Sequence, residues 1–357
     1  MKRLIALVLA IALVFSLGAC GSPGGSSGDK LIGVAMPTQS LQRWNQDGEN
    51  MKKQLEEKGY KVDLQYANND VNTQIQQMEN MITKGCKVLV IAAIDGAAIT
   101  DVLAKAAESK VKVIAYDRLI MKSENVDYYA TFDNFEVGVI QGQYIEEKLG
   151  LKDGKGPFNF ELFGGSPDDN NATYFFNGAM SILQPYIDSG KIVIPSGQKD
   201  FTTIAIQGWD SAKSQARMDN LITANYAGGK KLDAVLSPND SLAIGIVASL
   251  KNAGYGSGDK QYPIITGQDC DKPNVIAMIN GQQSMSIFKD TRTLAEKVVE
   301  MVDAVLQGKE APANDTKTYD NGAKIIPSFL CDPVYADASN YKELLIDSGY
   351  YTEDDLK

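Results

Sequence analysis

Histidine is absent from this chain. That absence removes Ser-His-Asp and Cys-His nucleophilic catalysis, zinc sites built on imidazole, and imidazole acid–base chemistry near neutral pH. Positive charge is also short: 35 Lys and Arg stand against 45 Asp and Glu, a net charge of −10, and no basic cluster interrupts the acidity. A nucleic-acid partner, which is held largely by cations against phosphate, is excluded on that ground. The first apolar run, Leu4 to Leu17, is shorter than the roughly 20 residues a membrane-spanning helix needs. Tryptophan occurs only twice, at Trp44 and Trp209.

What is present begins with an address. Lys2 and Arg3 precede the apolar run, and Leu17-Gly18-Ala19-Cys20 closes it with small residues, the pattern of an export signal. This ending resembles the bacterial lipobox, which implies cleavage before Cys20 and a lipid on its sulfur. Residues 1–20 are therefore expected to be a lipoprotein signal peptide, and 21–29 (GSPGGSSGD) a flexible tether. Cys86, ahead of an apolar strand pattern, reads as a small core residue, whereas Cys270 and Cys331 are left open as free thiols or a pair.

From residue 31 short apolar runs alternate with helical periods. LIGVAM, KVDLQYA, KVLVIAA and VKVIAYD form one series; YYATF, FNFELFGG, KIVIP, LDAVLS, YPIITG and SMSIF continue it, with helices between them. The predicted helices include 41–58, 97–109, 135–149, 174–186, 209–224, 242–252 and 289–306. Continuous apolar strands covered by helices indicate parallel sheets, and the length suits two α/β lobes.

In such sheets ligands lie outside the carboxyl ends of the strands. There the sequence places Gln42, Arg43 and Trp44, then Asp117-Arg118, Ser166 to Asn171, Asn239-Asp240, Gln268-Asp269 and Lys289-Asp290. Each has a plain structural explanation as well. Asn239 can be a helix cap, Asp117-Arg118 a local pair on a rim, and Trp44 can pack with Met51 and Leu55 as Trp209 can with Ala212 and Ala216. Caps do not explain why Arg, Lys and Trp recur at strand ends. Mixed donors and acceptors beside two flat apolar rings suit a neutral polyol, whose hydroxyls both donate and accept and whose C–H face stacks on indole.

The stretches GVAMP, RWNQDG, AYDRLI, FGGSPDDNNA, GWDSAK, SPNDSLAIG and GQDCD resemble the periplasmic sugar-binding proteins of ABC transporters, in particular the xylose-binding and multiple-monosaccharide-binding branch. The likeness runs from about Ile32 to the C-terminus. It implies a type I periplasmic binding protein fold, two Rossmann-like lobes with parallel sheets joined by a three-segment hinge. The lobes are expected to comprise 30–132 plus 290–323 and 133–289 plus 324–357. The resemblance further implies a monosaccharide of xylose, glucose or galactose type sandwiched by Trp44 and Trp209. Polar contacts would come from Arg43, Asp117, Arg118, Asn171 (or Asn170), Asn239, Asp269 and Lys289. It implies no metal, no cofactor and no catalysis. The expected partner is an ABC import permease, the expected location the outer face of the cell membrane through lipidated Cys20, and the expected state a monomer. The segment PTQSLQ before Arg43 departs from the acidic stretch of xylose-specific members, and the absence of arginine near Asn171 and of glutamine near Lys289 disfavours ribose. A receptor for a chemotaxis or two-component sensor is the alternative reading. A histidine-free glycosidase using Asp117 and Asp269 as its acid–base pair is a more remote one.

Overall fold

In a computed structural model, residues 30–357 are described; the expected signal peptide, lipobox Cys20 and tether lie outside them. Two parallel sheets organise the chain. The first contains six strands in the order β11-β5-β4-β3-β1-β2. These are β1 (Leu31–Met36), β2 (Lys61–Tyr66), β3 (Val88–Ile91), β4 (Lys112–Tyr116), β5 (Tyr128–Phe132) and β11 (Ser328–Cys331). All pairings in this sheet run parallel. Because successive side chains on a strand face opposite ways, Val88 and Val90 pack on one face with Met51, Leu55, Leu294 and Val298. Leu89 and Ile91 pack on the other with Met78, Met81, Val102 and Leu103. Burial on both faces is why these strands read as unbroken apolar runs. The covering helices are α1 (Gln42–Glu57), α2 (Val71–Thr83), α3 (Thr100–Glu108) and, from far along the chain, α10 (Thr291–Leu306).

The second lobe repeats the scheme. Strands β6 (Phe158–Leu162), β7 (Ile192–Val193), β8 (Ala234–Leu236) and β9 (Ile264–Ile265) pair in the order β7-β6-β8-β9. A parallel bridge between Gln268 and Ile287 carries the sheet on to β10 (Met285–Phe288), which pairs antiparallel with β12 (Val334–Asp337). Its helices are α4 (Asn134–Leu149), α5 (Asn170–Asp188), the single turn α6 (Phe201–Ile204), α7 (Ser211–Asn225), α8 (Asp240–Asn252) and α9 (Lys272–Ile279). Helices α4 and α5 approach so closely that a Cβ on Gly138 would stand 2.0 Å from the Phe175 carbonyl oxygen, and one on Gly178 2.1 Å from that of Phe135. Only glycine fits there.

The chain passes between the lobes three times: from β5 into α4, from β10 into α10, and from β11 into β12. The first and third crossings touch, with Asp133 N–H donating to the Cys331 carbonyl at 3.0 Å. One expectation needs correcting here. The first lobe does not end at 323, because β11 pairs with β5, from Ser328 opposite Tyr129 to Cys331 opposite Phe132, and so carries the first sheet to Cys331. The weak apolar pattern of SFLC, half-exposed at an edge, hid it.

Candidate ligand-binding site

Counted within each lobe, both sheets share the strand order 2-1-3-4, whose switch point opens a crevice at the carboxyl ends of the strands. The two crevices face each other across a shared chamber. Its lining includes all nine residues singled out from the sequence: Arg43, Trp44, Asp117, Arg118, Asn171, Trp209, Asn239, Asp269 and Lys289. Leu41, Asp169, Phe175, Ser241, Gln268 and Asp271 complete it; the sequence placed Asp169 and Gln268 at strand ends without assigning them to the ligand, and the other four were not assigned either, although Asp271 nearly adjoins Asp269.

Arg43 organises the chamber. It lies in the first turn of α1, 5% exposed, and its guanidinium meets three carboxylates: Asp47 Oδ2 at 2.6 Å, Asp117 Oδ1 at 2.7 Å and Asp269 Oδ1 at 2.7 Å. Asp47 is one helical turn along and wholly buried, and the Tyr116 hydroxyl also donates to it. It answers why RWNQD joins a cation, an indole and a carboxylate: Asp47 fixes the arginine's fork so that its ends reach both lobes. Burial, opposed by Arg43, pushes the Asp47 carboxyl up to about 6. Lys289 sits in the second crossing rather than in the helix expected from 289, because Asp290 caps that helix on Arg292 N–H. Its Nζ lies 3.0 Å from Asp269 Oδ1 and 3.8 Å from Asp117 Oδ1. Arg118 does not pair with its neighbour Asp117 on a rim. It is buried, its Nε 3.0 Å from Asp169 Oδ2 in the opposite lobe, and its guanidinium carbon lies 5.1 Å from the centre of the Trp44 ring. Asn171 also reaches across, its Nδ2 donating to the Asp117 carbonyl at 2.6 Å.

The indoles resolve differently. Trp44 meets both readings: it belongs to the first lobe's core with Met51 and Leu55, and it lines the chamber. The expected helix from Trp209 begins only at Ser211, capped by Asp210. Trp209 itself is held at φ 54° in a turn, off the Ala212–Ala216 stripe, and packs edge-on to Phe175 with ring centres 6.3 Å apart. Gly165 makes room for it, since a Cβ there would lie 2.1 Å from the Trp209 ring carbon Cη2. Asp117 (φ 57°) and Asp269 (φ 98°) share the left-handed region that non-glycine residues avoid; such conformations cost about 1–3 kcal/mol each and cluster where a site requires them. Asn239 serves twice, accepting from Leu242 N–H at 3.0 Å as a cap while lining the chamber.

Two properties define what this chamber can do. Its cations are matched within the protein: Arg43 and Lys289 against Asp117 and Asp269, Arg118 against Asp169. An anion would find each of them engaged. Arg43, Lys289 and Arg118 hold Asp117 below the usual carboxylate range against the opposing effect of its burial, so it has no proton to give as a general acid. At the same time Arg118 Nε, Trp209 Nε1, Gln268 Oε1 and Asp271 Oδ1 are buried without a hydrogen-bond partner among the described residues, Arg118 Nε meeting Asp169 as an ion pair only, and buried polar atoms ordinarily have one. Among the described residues no cluster of His, Cys, Asp or Glu could hold a metal, and no helix is long and apolar enough to cross a membrane. Cys86, Cys270 and Cys331 are all buried free thiols, so the pairing left open for the last two is not made.

A polar chamber shared by two hinged lobes, with charges paired to each other and with neutral donors and acceptors to spare, defines a ligand-binding protein of the closing, two-lobed class. The chain belongs to the periplasmic binding protein domain family, whose model matches residues 32–310. It is 61% identical over 326 residues, 91% of both chains, to the multiple sugar-binding periplasmic protein SbpA of Azospirillum brasilense. It is 55% identical over the whole of both chains to the multiple sugar-binding periplasmic receptor ChvE of Rhizobium radiobacter. Among solved structures, an ABC transporter solute-binding protein of Clostridium phytofermentans with bound β-D-glucose is 61% identical, with a TM-score of 0.89 over 92% of this chain and 100% of that one. The fold is that of the type I periplasmic binding proteins, and the family is one of receptors rather than enzymes.

Proposed function

We propose that the protein is an extracytoplasmic receptor that encloses one monosaccharide, of glucose, galactose or xylose type, and hands it to an ABC import permease. In this reading Trp44 and Trp209 face the sugar's C–H surfaces. Arg43, Asp117, Arg118, Asn171, Asn239, Asp269 and Lys289 address its hydroxyls, and a lipid on Cys20 keeps the receptor at the membrane. The observation that carries it is the chamber whose cations are ion-paired within the protein and in which four buried polar atoms lack hydrogen-bond partners, because a neutral polyol supplies hydroxyls without adding a charge. The names of the relatives and the glucose in the similar structure support the same class of ligand.

The magnitudes are consistent. A hexose has about 12 heavy atoms, and micromolar binding needs roughly −8 kcal/mol, or about −0.7 per atom, which requires near-complete enclosure. Two lobes each contributing half the shell provide it. A thermal-shift screen over aldopentoses and aldohexoses tests the reading: glucose, galactose or xylose raises the melting temperature, and no response to any of them refutes it. Mass spectrometry of the mature N-terminus tests the anchor, which requires a diacylglyceryl Cys20.

A further inference from the structure

Gln42 and Gln46 stand one turn apart on α1, on either side of Arg43 and Trp44, and neither lines the chamber. Both reach across to the second lobe. Gln42 Nε2 donates to the Tyr351 hydroxyl at 2.7 Å and Gln46 Nε2 to the same oxygen at 3.1 Å. The hydroxyl in turn donates to the Cys270 carbonyl at 2.9 Å. A phenol has one donor and two acceptor positions, so this one is fully used, in a side chain only 4% exposed. The amide oxygens are engaged too: Gln42 Oε1 accepts from Lys272 N–H at 3.2 Å and Gln46 Oε1 from the Tyr350 hydroxyl at 3.3 Å. Tyr351 belongs to the second lobe, packed with Leu345, Cys270, Val275 and Met278 in its own small core. All four contacts made by the two amides therefore cross the interlobe boundary just outside the chamber's lining, beside Arg43 and Asp271, and opening the hinge separates them.

We infer that Gln42, Gln46 and Tyr351 form a clasp between the lobes that sets ligand affinity without touching the ligand. The inference rests on the sugar-receptor reading above. In an opening and closing receptor, apparent affinity is the affinity of the closed form scaled by how readily that form is reached. Contacts confined to the closed form strengthen binding of every ligand alike. They act on the dissociation rate, because release requires opening. Residues of the chamber instead discriminate among sugars.

The test uses the protein with Tyr351→Phe, Gln46→Met and Gln42→Met, with D-glucose, D-galactose and D-xylose as probes, by calorimetry and stopped-flow tryptophan fluorescence. Tyr351→Phe is expected to weaken binding of each sugar that the wild type holds about five- to thirty-fold, the worth of one or two ordinary hydrogen bonds. The loss is expected in the dissociation rate, by the same factor for each sugar. The Gln42→Met/Tyr351→Phe double variant falls short of the product of the single losses, since both remove one shared contact. Unchanged affinity, or losses that differ more than about threefold between sugars, overturns the clasp. Should Tyr351→Phe fail to fold, Gln46→Met carries the same comparison. If the wild type binds none of the three sugars, the sugar reading fails separately and small-angle scattering decides on the clasp: an expanded Tyr351→Phe or Gln46→Met protein supports it, and a shape identical to wild type overturns it.

Discussion

Arg43 is shared by three carboxylates drawn from α1, the end of β4 and the second lobe. Removing one partner of such a buried cluster leaves uncompensated charge, commonly at a cost of about 3–5 kcal/mol. Trp209 offers a cleaner probe, and Trp209→Ala is expected to lower sugar affinity at least about tenfold in a titration while the protein stays folded. Gly165→Ala approaches the same indole from behind. The added methyl would collide with the ring at 2.1 Å, so affinity falls by a similar factor; calorimetry showing unchanged binding would count against a role for Trp209 in the site. Asp271 gives a pH signature. Burial first, and then the charge of Asp269, push its carboxyl up, so the folded chain keeps a proton that the unfolded chain, near 3.9, has released. That contribution is complete below the ordinary carboxylate range and is lost as pH rises towards neutrality. Asp271→Asn, uncharged throughout, is therefore expected to melt above wild type at pH 8 and alongside it at pH 4; thermal scans in which the gap shows no such pH dependence refute the argument.

At the scale of elements, the positions of side chains follow from where strands stop and helices start. β4 ends at Tyr116, and the left-handed turn at Asp117 aims consecutive residues apart, Asp117 towards Arg43 and Arg118 towards the other lobe. The dipeptide was legible as a site; its division between two networks was not, because it depends on one backbone angle. The Trp209 turn is similar. Helical spacing placed the indole on an alanine stripe, but Asp210 captures Lys213 N–H as the cap and so excludes Trp209 from the helix. Helix α1 was read correctly as the carrier of Arg43 and Trp44. Gln42 was noted beside them at the strand end, but neither it nor Gln46 could be given its partner, since Lys272, Tyr350 and Tyr351 lie more than 200 residues away.

For the whole molecule, the decisive feature is that each lobe owns only part of the chamber. A ligand that interacts with both links binding to stability: at a sugar concentration of 1,000 Kd the folded state gains about 4 kcal/mol. Thermal denaturation across a glucose series is expected to show the melting temperature climbing with the logarithm of concentration once binding saturates. A melting temperature independent of sugar would contradict closure around it.

The sequence by itself determined the two-sheet α/β plan, through apolar runs that only double-sided burial explains, and the residue types at the strand ends. By lacking histidine and basic clusters it also ruled out whole classes of chemistry. Tertiary structure alone decided which of those residues meet, that Cys270 and Cys331 stay apart, and that β11 returns to the first sheet. It also decided that Asp169, Phe175, Gln268 and Asp271 join the chamber. The reason is physical: local patterning records burial and backbone preference within a few residues, whereas ion pairs and hydrogen bonds across a cleft depend on distances set by the packing of the entire chain.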